Sequence, residues 1–294
     1  MAAYGVPAMT IPEEVRRHCA AIARRARQVA IDPEATSATD GIAGLDPGEH
    51  PLEATPEDLA RHVLILDAIN FGSGWFPTLR HGSTPAMTRR LTADVRARGA
   101  PWTAAELRAA TPATVAAVLD EDAAHPLMRL YADALRGLGV LLGDRQALDL
   151  VDEARGSAAR LARILADAMP FFADRGFYKR AQITANDLVL AGVAEFADVD
   201  DLTVFADNFI PHVLRLDGVL VLAPGLAARI DAGELLEPGG EEEVELRACA
   251  VHACEQLAAR QGVAPRVLDN WLWNRALEPR YAARPAHRTR TVFY

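Results

Sequence analysis

The chain has 294 residues, half of them hydrophobic, and carries a net charge of −9 with an isoelectric point near 5.4. Such a composition supplies apolar side chain for a large core. The acidic balance argues against a dedicated duplex binder, which gains affinity by neutralising phosphates with Lys and Arg. Residues 1–20 contain Pro12, Glu13 and Glu14 but no apolar h-region, and no run of about 18 apolar residues occurs, so neither a signal peptide nor a membrane span is expected.

Helix signals dominate from the start. Val15, Cys19, Ile22, Ala26 and Val29 recur at three- and four-residue steps and predict an amphipathic helix over 12–30. The stretch 32–55 reads as a loop rich in Gly, Pro and acids. Thr55-Pro56 opens a second helix, with Thr55 as N-cap and Pro56 in the first turn, running to about Gly72. Thr103 and Glu106 have capping-box spacing. Further helices are predicted over 112–120, 126–142, 144–169, 181–192, 241–261 and 264–277. Leu216–Leu222 is either a short strand or an apolar helix end, and Thr289–Tyr294 is expected to be extended. The stretch 232–241 is the better candidate for a mobile surface loop. No internal repeat is seen. The expected fold is mostly α with few or short strands, a single globular catalytic domain over 1–294 or two intimate helical lobes with a pocket between them.

Cys19, Cys249 and Cys254 are odd in number, and the pair at spacing five lacks a zinc pattern. They read as buried free thiols in a cytoplasmic protein. The eight histidines are scattered, so no metal site is expected. No GxGxxG, Walker, HExxH or GxSxG pattern is present, and no cofactor is predicted.

Four polar segments stand out. Leu202–Arg215 places Asp207 among Val204, Phe205 and Ala206 just before a helix whose first turn accepts Pro211. Asp207 is either a helix cap or an acid held for chemistry at a developing cation. Asn70-Phe71-Gly72-Ser73-Gly74-Trp75 is either a core loop or a flat surface on which a heterocyclic base stacks. Lys179-Arg180 open an apolar helix against its dipole, either as a solvated edge or to hold an anion. Asp269-Asn270-Trp271-Leu272-Trp273-Asn274 is either a core helix or a reader of base edges.

These pieces together resemble the queuosine salvage protein family, the queuosine 5′-phosphate N-glycosylases. The matching runs are D-A-I-N-F at 67–71, F-Y-K-R-A-Q-I at 177–183, D-L-T-V-F-A-D at 201–207, E-V-E-L-R-A at 243–248, L-D-N-W-L-W-N at 268–274 and H-R-T-R-T-V-F-Y at 287–294. The resemblance implies a fold similar to helix-hairpin-helix DNA glycosylases and hydrolysis of an N-glycosidic bond to release queuine. It implies Asp207 as the catalytic carboxylate. Lys179 and Arg180 are then expected on the 5′-phosphate; Phe71, Trp271 and Trp273 would stack the base; and Asn70, Asn208, Asp269 and Asn274 complete the expected substrate contacts. The family often has Tyr-Arg after the Asp, where this chain has Asn208-Phe209, and Asp where it has Asn274. The expected partner is a small nucleotide, with no stable nucleic-acid complex and no membrane. Competing expectations are a helix-hairpin-helix DNA-base glycosylase and a non-catalytic nucleoside-binding module.

Overall fold

In the computed structural model the described residues are 9–32, 34, 35, 42, 45 and 54–294. Most of the 32–55 loop lies outside them. Among the described residues the chain is mostly helical: α1 (Ile11–Ala23), α2 (Pro56–Ile69), α3 (Thr84–Arg98), α4 (Ala104–Arg108), α5 (Pro112–Leu119), α6 (Pro126–Leu142), α7 (Ala147–Glu153), α8 (Ala158–Ala168), α9 (Lys179–Leu190), α10 (Phe209–Leu216), α11 (Pro224–Asp231), α12 (Glu241–Gln261), α13 (Pro265–Ala276) and α14 (Pro279–Ala282). Four short strands complete it, β1 (Val29–Ile31), β2 (Leu220–Leu222), β3 (Leu235–Leu236) and β4 (Arg288–Thr289).

Local chemistry sets the boundaries. Thr10 and Glu13 close a capping box at the start of α1, Thr55 caps α2 through the Asp58 N–H, and Thr103 and Glu106 close a box on α4. The helix expected over 12–30 ends at Ala23, because the chain turns at 24–28 and the backbone N–H groups of Arg27, Gln28 and Val29 all donate to the buried Glu245 carboxylate. The helix expected over 144–169 is two: Arg155 and Gly156 adopt positive φ, and Ser157 restarts α8 as its N-cap. Three helices were not expected, α3, α11 and α14. Each has a start signal in the sequence: Ser83 before Thr84-Pro85, and Pro224 and Pro279 at the first turn.

The strands are clasps between distant segments. β1 pairs antiparallel with β2, Val29 opposite Leu222. β3 pairs parallel with β4, Leu235 opposite Arg288. The stretch 232–241, expected as a mobile loop, is therefore tied to the C-terminal tail, and Leu236 is buried.

Helices α2–α7 form one packed group, centred on α2 and α6. Helices α1, α10, α12, α13 and α14 form another. Between them, α8 and α9 pack together, α8 also against α1 and α9 against α2. One continuous apolar cluster runs through all of these, from Ile11 to Tyr281. The three cysteines are free and buried within it.

A buried arginine joins the parts of the second group. Arg247 of α12 donates Nε to the Ala206 carbonyl at 2.9 Å, both terminal nitrogens to Asp174 at 3.2 and 2.5 Å, and Nη1 to Glu243 at 3.3 Å. Its guanidinium lies 3.9 Å from the centre of the Phe177 ring and 4.5 Å from that of Tyr294. Removing one member of such a buried pair leaves the others charged and unpaired, a loss of roughly 3–5 kcal/mol. Arg247→Met is therefore expected to lower the unfolding free energy by about that much in urea titration. A change within about 0.5 kcal/mol, the usual range for a surface substitution, would contradict this reading.

Candidate active site

The segment that carries Asp207 is extended and fixed at each step. Gln182 of α9 accepts from the Thr203 N–H (3.1 Å) and donates to its hydroxyl (3.0 Å). Asp269 of α13 accepts from the Phe205 N–H at 2.7 Å. Arg247 holds the Ala206 carbonyl. The chain then turns into α10, whose first backbone N–H groups, Phe209 and Ile210, donate to Asp207 Oδ1 at 2.7 and 3.4 Å. Asp207 thus caps α10 with one oxygen. Oδ2 accepts no hydrogen bond from the described residues, and the side chain lines a cavity.

This cavity has a volume of about 520 Å³, within the range of small-molecule sites, roughly 300–1,000 Å³. Its walls come from both helix groups. Leu66 of α2, Asn70 just after it, and Thr84, Thr88 and Arg89 of α3 contribute to the lining. Arg266, Asp269, Asn270, Trp273 and Asn274 of α13 contribute more. Lys179, Ile183, Asn186 and Asp187 of α9 lie along it, and Phe205 and Asp207 complete it. A second hollow of about 600 Å³ beside β1 and β2 has no carboxyl group in its lining.

Of the ten residues singled out in the sequence, the fold brings Asn70, Lys179, Asp207, Asp269, Trp273 and Asn274 to this one cavity. Four lie outside its lining. Arg180 is 1% exposed and donates to the carbonyls of Asp67, Ala68, Phe171 and Val292, with its guanidinium between the Phe71 and Phe172 rings. Its donors tie the end of α2 to the C-terminal tail instead of meeting a ligand. Phe71 is buried against that guanidinium and against Tyr131 and Phe171, so the loop it opens is core. Gly72 N–H donates to the Tyr294 carbonyl, and a Cβ on Gly74 would stand 2.2 Å from the Thr289 carbonyl oxygen, so the tail packs directly on this loop. Trp271 stacks on Arg275. Asn208 is buried at the N-cap of α10. The physical reason is common to all four: neighbours on a helix or turn point to different faces, and only one face meets the cavity.

The charges in the cavity are unevenly matched. Lys179 is 5% exposed, and its ammonium makes no hydrogen bond or ion pair with the described residues. Arg266, by contrast, is held by Asp200 at 2.6 Å and Asn186 at 3.3 Å. Asp269 is pushed up to about 8, chiefly by burial and further by the nearby Asp207 charge, with the Phe205 N–H acting against the rise. It therefore carries a proton at neutral pH, and the residue lines the cavity. On α2, Asp67 is fully buried with neither carboxyl oxygen hydrogen-bonded; burial, and further the Asp187 charge, push its carboxyl well above the usual carboxylate range. Among the described residues no group of three or more His, Cys, Asp or Glu is placed to hold a metal ion, and no helix is long and apolar enough to cross a membrane.

Residues 49–294 match the family model described as queuosine salvage protein. A Sphaerobacter thermophilus protein named queuosine 5′-phosphate N-glycosylase/hydrolase is 35% identical over 265 residues, 81% of this chain and 82% of its own. The chain belongs to the queuosine salvage protein family. A Mus musculus protein of the same name is 29% identical over 279 residues, covering 79% of this chain and 81% of its own, and a Bos taurus one is 30% identical over 205 residues, 60% of each. The runs that carried the family resemblance in the sequence are here divided in two. Asp207, Asp269, Lys179 and Asn274 reach the cavity, whereas Arg180, Gln182, Glu243, Glu245 and Arg247 build the frame behind it. Sequence reasoning missed the cavity face of α3, although Ser83-Thr84-Pro85 is a start signal and Met87, Leu91 and Val95 follow at four-residue steps.

Asp269 makes stability depend on pH. In the unfolded chain it ionises near 3.8, whereas in the folded chain it keeps its proton to about 8. The folded state then binds the extra proton, so this group's contribution is full below about pH 4, falls as pH rises and levels off above about pH 8. Asp269→Asn keeps an oxygen for the Phe205 N–H but cannot ionise. In urea unfolding from pH 5 to 9 the variant should lose less stability than the wild type over this range. Parallel pH curves would show that Asp269 is already ionised in the folded protein.

Proposed function

We propose that this chain hydrolyses the N-glycosidic bond of queuosine 5′-phosphate and releases queuine. The observation that carries the reading is Asp207: one oxygen fixed by the first N–H groups of α10, the other turned to a nucleotide-sized cavity beside a protonated carboxyl. The family match and the names of its relatives supply the substrate.

As an N-glycoside breaks, positive charge builds on the ribose while the base takes the bonding electrons. A fixed carboxylate beneath the anomeric carbon stabilises that cation, and it is worth most where Phe205 and its neighbours exclude water. Asp207 supplies this charge and either attacks or orients the incoming water. The cap contact matters because it removes the need to reorganise the carboxylate as the charge develops.

The leaving base has carbon at position 7, so protonation there is not available. Its load falls on hydrogen bonds to other edges. Asp269, protonated and bonded through its other oxygen to Phe205 N–H, has the proton to give, and Asn274 and Asn70 add amide donors and acceptors. Trp273, tilted against Phe209 with ring centres 6.2 Å apart, offers the flat face for stacking. Lys179 meets an anion of the substrate, which gives its buried ammonium a direct partner. The whole chain acts as one catalytic unit, and its acidic surface suits a free nucleotide better than an intact nucleic acid.

Chromatography of free base after incubation with queuosine 5′-phosphate tests the reaction directly. The wild type should release queuine and Asp207→Asn should lower the rate by at least about a hundredfold, the scale of losing one preorganised electrostatic contact, while still binding queuine. Turnover by Asp207→Asn within a few-fold of the wild type would remove Asp207 from the mechanism. The same assay across pH should show the rate falling as pH passes about 8, where Asp269 loses its proton; Asp269→Asn should remove that limb.

A further inference from the structure

We propose that Arg89, on the α3 wall of the cavity, binds the 5′-phosphate together with Lys179 and thereby sets the preference for a phosphorylated substrate. The inference rests on the base-release reading above for the identity of the substrate, and on three observations for the position of its anion.

Three cations line the cavity, Arg89, Lys179 and Arg266. Arg266 is spoken for by Asp200 and Asn186. Lys179 and Arg89 make no hydrogen bond or ion pair with the described residues, and Lys179 is nine-tenths buried with its head toward the cavity. A buried ammonium that no carboxylate touches directly leaves its hydrogen-bonding capacity for a ligand, so an anion can be received there.

The two walls also differ in chemistry. Apart from Arg266, which Asp200 and Asn186 hold, the α13 wall carries a carboxyl, two amides and an indole, which suit a base. The α3 wall carries the hydroxyl residues Thr84 and Thr88 and the Arg89 guanidinium, with no acid. Thr88 sends its hydroxyl to the Thr84 carbonyl, and Thr84 gives its own to no described residue. A nucleotide placed with its base on α13 and its ribose over Asp207 leaves the α3 residues of the lining for its phosphate. Arg89 is exposed and lines the cavity, on a long flexible stem, so it can fold onto the phosphate as the substrate enters. Its planar fork of donors matches phosphate oxygens, which a lysine at that position would meet only as a point charge.

The test is the ratio of kcat/KM for queuosine 5′-phosphate to that for unphosphorylated queuosine, measured for the wild type, Arg89→Ala and Arg89→Lys. Loss of a hydrogen-bonded charge pair corresponds to roughly a 10–100-fold effect. Arg89→Ala should lower the ratio by at least about tenfold, with the loss mostly in KM, and Arg89→Lys should recover part of it. An unchanged ratio, or an equal loss on both substrates, would overturn the proposal. Calorimetric binding of ribose 5-phosphate gives a readout independent of turnover: Arg89→Ala should bind it about tenfold more weakly than the wild type, and equal binding would overturn the proposal. If the wild type releases no base from either substrate, the base-release reading fails, and ribose 5-phosphate binding still decides the role of Arg89.

Discussion

The site depends on how the short extended run before Asp207 is held. A free strand of five residues has no hydrogen-bond ladder of its own, and its buried N–H and C=O groups must be met by side chains. Gln182 meets Thr203, Asp269 meets Phe205, Arg247 meets Ala206, and α10 meets Asp207 itself. Four different helices therefore converge on one segment. The carboxylate inherits the rigidity of all of them, which is what electrostatic stabilisation of a transition state requires.

Arg247 and Arg180 show how the frame is built. Each is fully buried between two aromatic rings, and each spends its donors on backbone or acids far apart in sequence. Arg180 ties the end of α2 to the tail through Val292, and Arg247 packs on Tyr294. The C-terminal run is thus a structural strap, closed further by β4 on β3 and by the close approach at Gly74. Charged residues are retained in the core because they organise carbonyls that no apolar side chain would satisfy.

Much of the fold was legible in the sequence because periodicity and capping are local. Thr55-Pro56, the Thr103–Glu106 box, the helix over 126–142 and the start after Asp207 all follow from neighbours within four residues. The break at Gly156 was missed because apolar spacing continues across it, and the clasps β1–β2 and β3–β4 were missed in part because they join segments about 190 and 50 residues apart, a distance no local pattern reports. At the site, a motif names residues but not faces. Lys179 and Arg180 are adjacent and equally cationic, yet one turns to the cavity and the other into the core. The α3 wall was invisible to motif reasoning because Thr84, Thr88 and Arg89 match no catalytic or binding motif and gain meaning only from what they face.

Two carboxyls give the cavity its character. Asp269 is pushed up to about 8, chiefly by burial, and Asp207 is held by backbone N–H groups. Close carboxyl groups in unlike environments divide the labour of an acid and a stabilising base. The most direct test of this account is a crystal structure of the Asp207→Asn variant with uncleaved queuosine 5′-phosphate. The account predicts the anomeric carbon within about 3.5 Å of the position-207 side-chain oxygen, a near-attack separation, with the base against Asp269 and Trp273. A ribose lying away from position 207, with the base on the α3 wall, would contradict it.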